Sequence, residues 1–219
     1  MTTFPRSPRL LKGGLVLLEA ETGVVKRVIV LQYNPETLTR TLQVQSAGGE
    51  GDDRSEVLRL KGPPVETIKL EAEIDVADQL ESPNQRDTIN TYGILPQLAA
   101  LEMIIYPQSA ELIANSQLAD SGTLEIAPMQ APLTLFVWSK NRVLPVRLTE
   151  FSVTEEAFDP NLNPLRAKIS LGMRVLTVDD LGFDHRGGSL FLVYHQLLES
   201  LVGTSSSGTL GDLGLTEVL

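Results

Sequence analysis

The chain of 219 residues contains no cysteine, which excludes disulfide staples and thiolate metal sites and suits a reducing interior. It also lacks any run approaching the roughly 18 uncharged apolar residues that a membrane-spanning helix needs. The N-terminal MTTFPRSPRL carries basic residues with no apolar stretch behind them, so neither a targeting segment nor direct membrane insertion is expected. Positive charge is in deficit: 18 Lys and Arg stand against 28 Asp and Glu, a net charge of −10. Such a surface does not release phosphate counterions, so nucleic acid is not expected as a partner.

Catalytic chemistry is equally short of its usual residues. No GxSxG elbow, Walker A loop, HExxH, GxGxxG or EF-hand loop occurs, which leaves nucleophile activation, phosphate cradling and metal hydrolysis without their machinery. The adjacent acids Glu155-Glu156 and Asp52-Asp53 have no apolar setting that would raise one carboxyl for general-acid work. The two histidines are His185, near Asp179, Asp180 and Asp184, and His195 in a helical stretch. A metal site wants three or four ligands at defined spacing, so the first is read as part of a solvated loop and the second as a surface residue. The expectation is no enzyme, no cofactor and no metal.

What the sequence does have is a core. Hydrophobic residues make up 42% and charged residues 21%, a balance for a folded chain, and a domain of this length can bury roughly 70% of its unfolded surface. Residues 1–12, with Arg6, Arg9, Lys12 and two prolines, read as an extended arm or a frayed terminus. The runs GLVLLE and VVKRVIVLQY around Glu21-Thr22-Gly23 predict a hairpin. Asn34-Pro35-Glu36 interrupts, LTRTLQVQ resumes as a strand, and AGGEGDDR predicts a loop or hairpin tip. In VETIKLEAEIDV, Ile68, Leu70, Ala72, Ile74 and Val76 share one face, while Thr67, Lys69, Glu71, Glu73 and Asp75 share the other.

Residues 78–93 read as a polar connection, and LPQLAALEMIIY as a helix started by Pro96 and stopped by Pro107. Being apolar nearly all round, that helix should be covered on more than one side. Residues 108–131 read as irregular. PLTLFVWS and RVLPVRL around Ser139-Lys140-Asn141 predict a second hairpin, its first strand apolar on both faces. The apolar phase then slips from Leu144, Val146 and Leu148 to Phe151 and Val153, which predicts a bulge near Thr149-Glu150.

RAKISLGMRVL turns Ala167, Ile169, Leu171, Met173 and Val175 inward and Arg166, Lys168, Ser170 and Arg174 outward. This basic row can pair with Glu71, Glu73 and Asp75 across adjacent strands or across subunits, or each row can be solvated independently. SLFLVYHQLLESLV carries a helical stripe of Leu190, Val193, Tyr194, Leu197 and Leu201 ended by Gly203. The remaining GTSSSGTLGDLGLTEVL begins as a Ser/Gly linker and ends in spaced apolar residues, suggesting a tail that is loose alone or docks on a partner.

Four segments in this order and spacing carry a resemblance: LQYNPETLTRTL; KGPPVETIKLEAEIDV; YGILPQLAALEMIIYP; and PLTLFVWSKNRVLPVRLTEFSVTEEAFDPNLNPLRAKISLGMRVL. Over about residues 11–202 the chain resembles the contractile injection system tube-protein N-terminal domain of phage-tail-like particles, a domain usually linked to a LysM module. The resemblance implies a mainly β, α+β, tail-tube-like fold: two packed antiparallel sheets in a barrel-like sandwich, with a flanking helix and a C-terminal helix. It implies an arm over 1–12, a tube-like domain over 13–202 and a flexible tail over 203–219.

It further implies a structural subunit of a ring, expected to be a hexamer, that joins the inner tube to the baseplate and spike hub. Implied partners are further copies of itself, the inner tube protein, the spike or hub protein, and baseplate wedge or sheath proteins. The implied setting is a bacterial cytoplasm during assembly and then an injection particle. Lys69, Glu71, Glu73, Asp75, Arg166, Lys168 and Arg174 are expected at a lumen or subunit contact. No LysM-type segment follows residue 202, so Leu210, Leu213, Leu215, Val218 and Leu219 are expected to make the substitute partner contact. The alternatives are a plain inner tube protein and a monomeric β-sandwich that binds carbohydrate or peptide.

Overall fold

Alternation of side chains decides the sheet, because a strand turns successive residues to opposite faces. In the computed structural model, which describes residues 10–19, 21–46, 58–77, 86–120 and 131–218, seven strands follow that rule. They are β1 Gly14–Leu18, β2 Val25–Val30, β3 Leu38–Gln43, β4 Val65–Asp75, β5 Leu133–Ser139, β6 Arg142–Phe158 and β7 Pro164–Val175. The helices are α1 Arg86–Tyr92, α2 Leu95–Glu102, α3 Ser109–Asp120, α4 Val178–Leu181 and α5 Arg186–Val202, and a 3₁₀ turn follows at Leu210–Leu213. The mainly β, α+β composition is as expected. The two stacked sheets are not: the strands form one antiparallel sheet in the order β2-β1-β5-β6-β7-β4-β3, not closed into a barrel.

The reason lies in β6. Its first residues pair with β5 as far as Val146, and from Val146 to Phe158 it pairs with β7. One strand therefore belongs to both halves and joins what the resemblance implies as two sheets. The inner faces of both halves feed a single core, in which Leu15, Leu17, Phe136 and Leu144 meet Ile68, Leu70, Ile169, Leu171 and Met173. The expected bulge is present, with the register slipping between Leu148 and Glu150. Opposite it stands Gly172, where an added Cβ would lie 2.9 Å from Glu150 Cβ, so the bulge uses the space a side chain would fill.

Both hairpins form where expected, the first through Gly23 at φ +68°. On the outer face of the β1–β5 half, Leu18, Leu133 and Leu135 form a second apolar cluster. Leu181 of α4 and Leu190 of α5 pack against it, so β1 and β5 are apolar on both faces.

The helices correct the sequence reading in several places. Residues 78–93 contain α1, which buries Ile89. One apolar anchor in a polar stretch gives no stripe to detect. Residues 108–131 contain α3, which buries none of its residues; its Leu112, Ile113 and Leu118 form no usable face. Helix α2 has Pro96 in its first turn as expected but ends at Glu102, short of Pro107. Ile94, Leu98, Leu101 and Ile104 are buried while Leu95, Met103, Ile105 and Tyr106 are exposed, so the expected cover on a second side is not supplied by the described residues.

Gly93, at φ +58°, turns α1 into α2 with its Cα side against Pro164 O. In α5 only Tyr194 of the expected stripe is buried; Val193 and Leu201 are exposed. The first turn of α5 packs instead through Gly187 and Gly188, whose missing side chains admit Leu181 and the Gly182 carbonyl. The loop AGGEGDDR and most of the N-terminal arm lie outside the described residues.

Candidate functional site

Antiparallel pairing sets the outward residues of β6, β7 and β4 in transverse rows. Asp75 stands opposite Arg166, and Glu156 stands on the other side of Arg166; Glu73, Lys168 and Thr154 follow, then Glu71, Ser170 and Ser152. The structure thus brings Lys69, Glu71, Glu73, Asp75, Arg166 and Lys168 onto one face of one chain. Of the three possibilities for the charged rows, pairing across adjacent strands is what the geometry displays. Arg166 Nε donates to Asp75 Oδ2 at 2.8 Å and its guanidinium lies 3.6 Å from Glu73. Lys168 meets Glu156 at 3.1 Å and Lys69 meets Glu150 at 2.7 Å. Arg174 stands at the end of its row and binds Asp180 at 2.7 Å. Glu71, opposite Ser170 and Ser152, makes no ion pair among the described residues.

These pairs are exposed, so each adds little to stability; what they do is balance the face. The Asp75 carboxyl is held below the usual aspartate range first by the Ala77 backbone N–H and then by Arg166, while Asp75 and Glu73 hold Arg166 firmly charged. Gln32 adds a clasp, its Nε2 donating to Asp75 O at 2.7 Å while its Oε1 accepts from Asp75 N at 3.0 Å. The segment after β2 is thereby tied to the end of β4 across the open sheet. Glu150 and Glu156 belong to this face and were not singled out for it from sequence. Counting the β6 phase onward from the bulge would have found them.

A second group was also missed. Glu66 shares its phase with Ile68 and Leu70, so it points to the core side, where it is buried and ion-paired with Arg40 of β3. The buried Tyr194 hydroxyl of α5 faces the Arg40 guanidinium without completing a hydrogen bond. Glu66 first, and Tyr194 after it, favour the charged guanidinium. Extending the VETIKLEAEIDV alternation two residues backward from Ile68 would have flagged Glu66.

The acid and histidine residues near 180 have local duties. Thr177 and Asp180 make a reciprocal capping box at the start of α4. His185 caps α5, its Nδ1 accepting from Gly187 N at 3.0 Å. The expected solvated loop is therefore a helix junction. His195 lies 3.4 Å from Glu199 and stacks on Phe191.

The sheet ends in β2 on one side and β3 on the other. Past its strands the β3–β4 hairpin continues, since Ser46 bridges Leu60, Lys61 N donates to Gln45 O at 2.9 Å, and Gln45 Nε2 donates to Pro63 O. β2 has a free outer edge among the described residues, and its Val25, Val28 and Val30 are 55%, 58% and 57% exposed. In the tail, Leu210, Leu213, Leu215 and Val218 are all exposed. A capping box joins Asp212 to Thr209, and the Thr209 backbone N–H keeps the Asp212 carboxyl low. Leu219 lies outside the described residues.

No helix among the described residues is long and apolar enough to cross a membrane. No family model matches the chain, and no curated protein matches it. Among solved structures, the tail of an empty GTA particle with C6 symmetry superposes at a TM-score of 0.28 and 10% identity. The overlap covers 75% of this chain and 90% of that chain, a likeness too slight to assign a fold family.

Proposed function

We propose that this chain is a non-catalytic structural subunit of a phage-tail-like injection particle, forming a ring that joins the inner tube to the baseplate and spike hub. The observation that carries the reading is the β2 edge. Monomeric sheets blunt their edges with charge, proline, bulges or a covering segment, because unpaired backbone groups beside apolar side chains template association. Here β2 carries Lys26 and Arg27 and a register shift beside Lys26, yet it still presents Val25, Val28 and Val30 exposed at an edge that no described segment covers.

The charged face of β4, β6 and β7 supports the same reading. Nearly neutral, ion-paired and backed by a full core, it is a wall that meets water or another subunit without adding to the charge of −10. The sequence resemblance supplies the finer statement: a hexameric ring, its tube and hub neighbours, assembly in a bacterial cytoplasm, and action by contact alone.

Electron microscopy of the purified chain, alone and mixed with its tube protein, tests this. Rings or capped tube ends are expected, and Val28→Lys with Val30→Lys should abolish them while leaving the melting temperature unchanged. Rings formed undiminished by that variant would remove β2 from the interface. A monomer that binds a sugar or peptide saturably would replace the reading with a binding module.

A further inference from the structure

We propose that the C-terminal tail of one copy, residues 210–218, docks along the β2 edge of a second copy. The inference rests on the assembly reading and names one of its contacts. The tail offers Leu210, Leu213, Leu215 and Val218, all exposed, together with Asp212 and Glu217 and no basic residue. β2 offers the complement along its edge: exposed Val28 and Val30 on one face and Arg27 on the other, with Val25 and Lys26 at its start and no acid in the strand. On a chain of net charge −10 an acidic apolar segment is repelled by most of the surface, and β2 is a basic apolar strip with backbone groups still to pair. Lys26 is shared with Glu19 at 3.2 Å, while Arg27 makes no ion pair among the described residues.

Two observations choose between rival pairings. The β3 edge also exposes Leu42 and, just beyond the strand, Val44, but the strand's one basic residue, Arg40, is already ion-paired with Glu66, whereas Arg27 of β2, among the described residues, is not. Within one chain the tail leaves its own β2 uncovered, since Leu213, Val218, Val28 and Val30 are all exposed. Helix α5 starts against the β1–β2 turn, where the Arg186 guanidinium fills the space beside Gly23. Its 17 residues then carry the chain on the order of 25 Å away before the tail begins. A neighbouring copy supplies the tail from outside, which is the head-to-tail contact that closes rings.

The absence of cysteine makes the test direct. Full chains carrying Val28→Cys and Leu213→Cys are mixed, oxidised mildly and run on a non-reducing gel, with rings scored by electron microscopy in the same samples. The expected result is a covalent heterodimer at least about fivefold above that from Leu213→Cys mixed with Lys140→Cys at the β5–β6 tip. Arg27→Glu should lower the yield and Asp212→Lys should restore part of it. Rings without the Val28–Leu213 bond overturn the tail assignment and leave assembly standing, whereas absence of rings overturns the assembly reading itself. Preferred bonding of Leu213→Cys to Leu42→Cys moves the site to β3. Rapid closure within a doubly substituted Val28→Cys/Leu213→Cys chain shows that the tail folds back on its own domain.

Discussion

Glu66 and Arg40 form a charged pair on the core side of the sheet, with the acid buried and the base only about a quarter exposed. Removing one member of such a pair strands the other in low dielectric, while replacing both with apolar groups leaves no charge to desolvate. Glu66→Ala should therefore cost about 3 kcal/mol in a denaturant melt, the bottom of the buried-pair range because Arg40 reaches some water. The double variant Glu66→Leu/Arg40→Met should recover most of it. Equal losses in single and double variants would show that the pair's worth is packing and not charge.

Asp75 makes a different kind of prediction. Its carboxyl is depressed in the folded state by Ala77 N–H and Arg166, so its contribution is complete above the ordinary aspartate value of about 3.9 and is lost as pH falls through the lower folded value. The melting temperature of Asp75→Asn should thus lie below that of the parent at neutral pH. The two should converge in acid. A gap that persists unchanged into strong acid would assign the loss to geometry.

At the scale of elements, legibility followed the reach of each signal. The alternation in β4 and β7, the turn at Gly23 and the phase slip at Thr149-Glu150 are written in neighbouring residues, and each appears where expected. The shared strand β6 was not legible as such, because alternation says which face a residue takes and nothing about which strand lies beside it. Helices α1 and α3 escaped for lack of an apolar stripe. The stripe of α5 holds only in part: Leu190 and Tyr194 pack inward, while Val193 and Leu201 stay exposed, because Gly187 and Gly188 bring the first turn in close. For the candidate site, the β4 and β7 residues were readable from alternation, whereas Glu150 and Glu156 needed the bulge to be counted through.

The charged face also gives a test that separates folding from assembly. Reversal of Glu71 and Glu73 to lysine touches exposed groups, so stability should change by no more than about 1 kcal/mol. Seven basic and three acidic side chains would then share a face that now carries five of each, counting Lys69, Arg147, Arg166, Lys168 and Arg174 against Glu71, Glu73, Glu150, Glu156 and Asp75. Ring yield should fall while the melt stays in place. An unchanged ring yield would mean that this face neither lines a conduit nor meets a neighbour.

At the scale of the whole molecule the outer surface of the sheet divides in two. The β6-β7-β4 half is charged, paired and suited to water. The β2-β1-β5 half is apolar, covered by α4 and α5 over Leu18, Leu133 and Leu135 and left open at β2. Exposed Leu95, Met103, Ile105 and Tyr106 around α2 add further apolar surface without cover from described residues. A chain that leaves this much apolar surface uncovered gains by burying it against another chain, and its charge of −10 sets a repulsion that salt screens. Analytical ultracentrifugation of the full chain over a range of concentrations at physiological salt tests the central claim most directly. The account predicts one discrete closed oligomer that grows at the expense of monomer and is lost with Val28→Lys/Val30→Lys; a monomer at every concentration up to the solubility limit would contradict it.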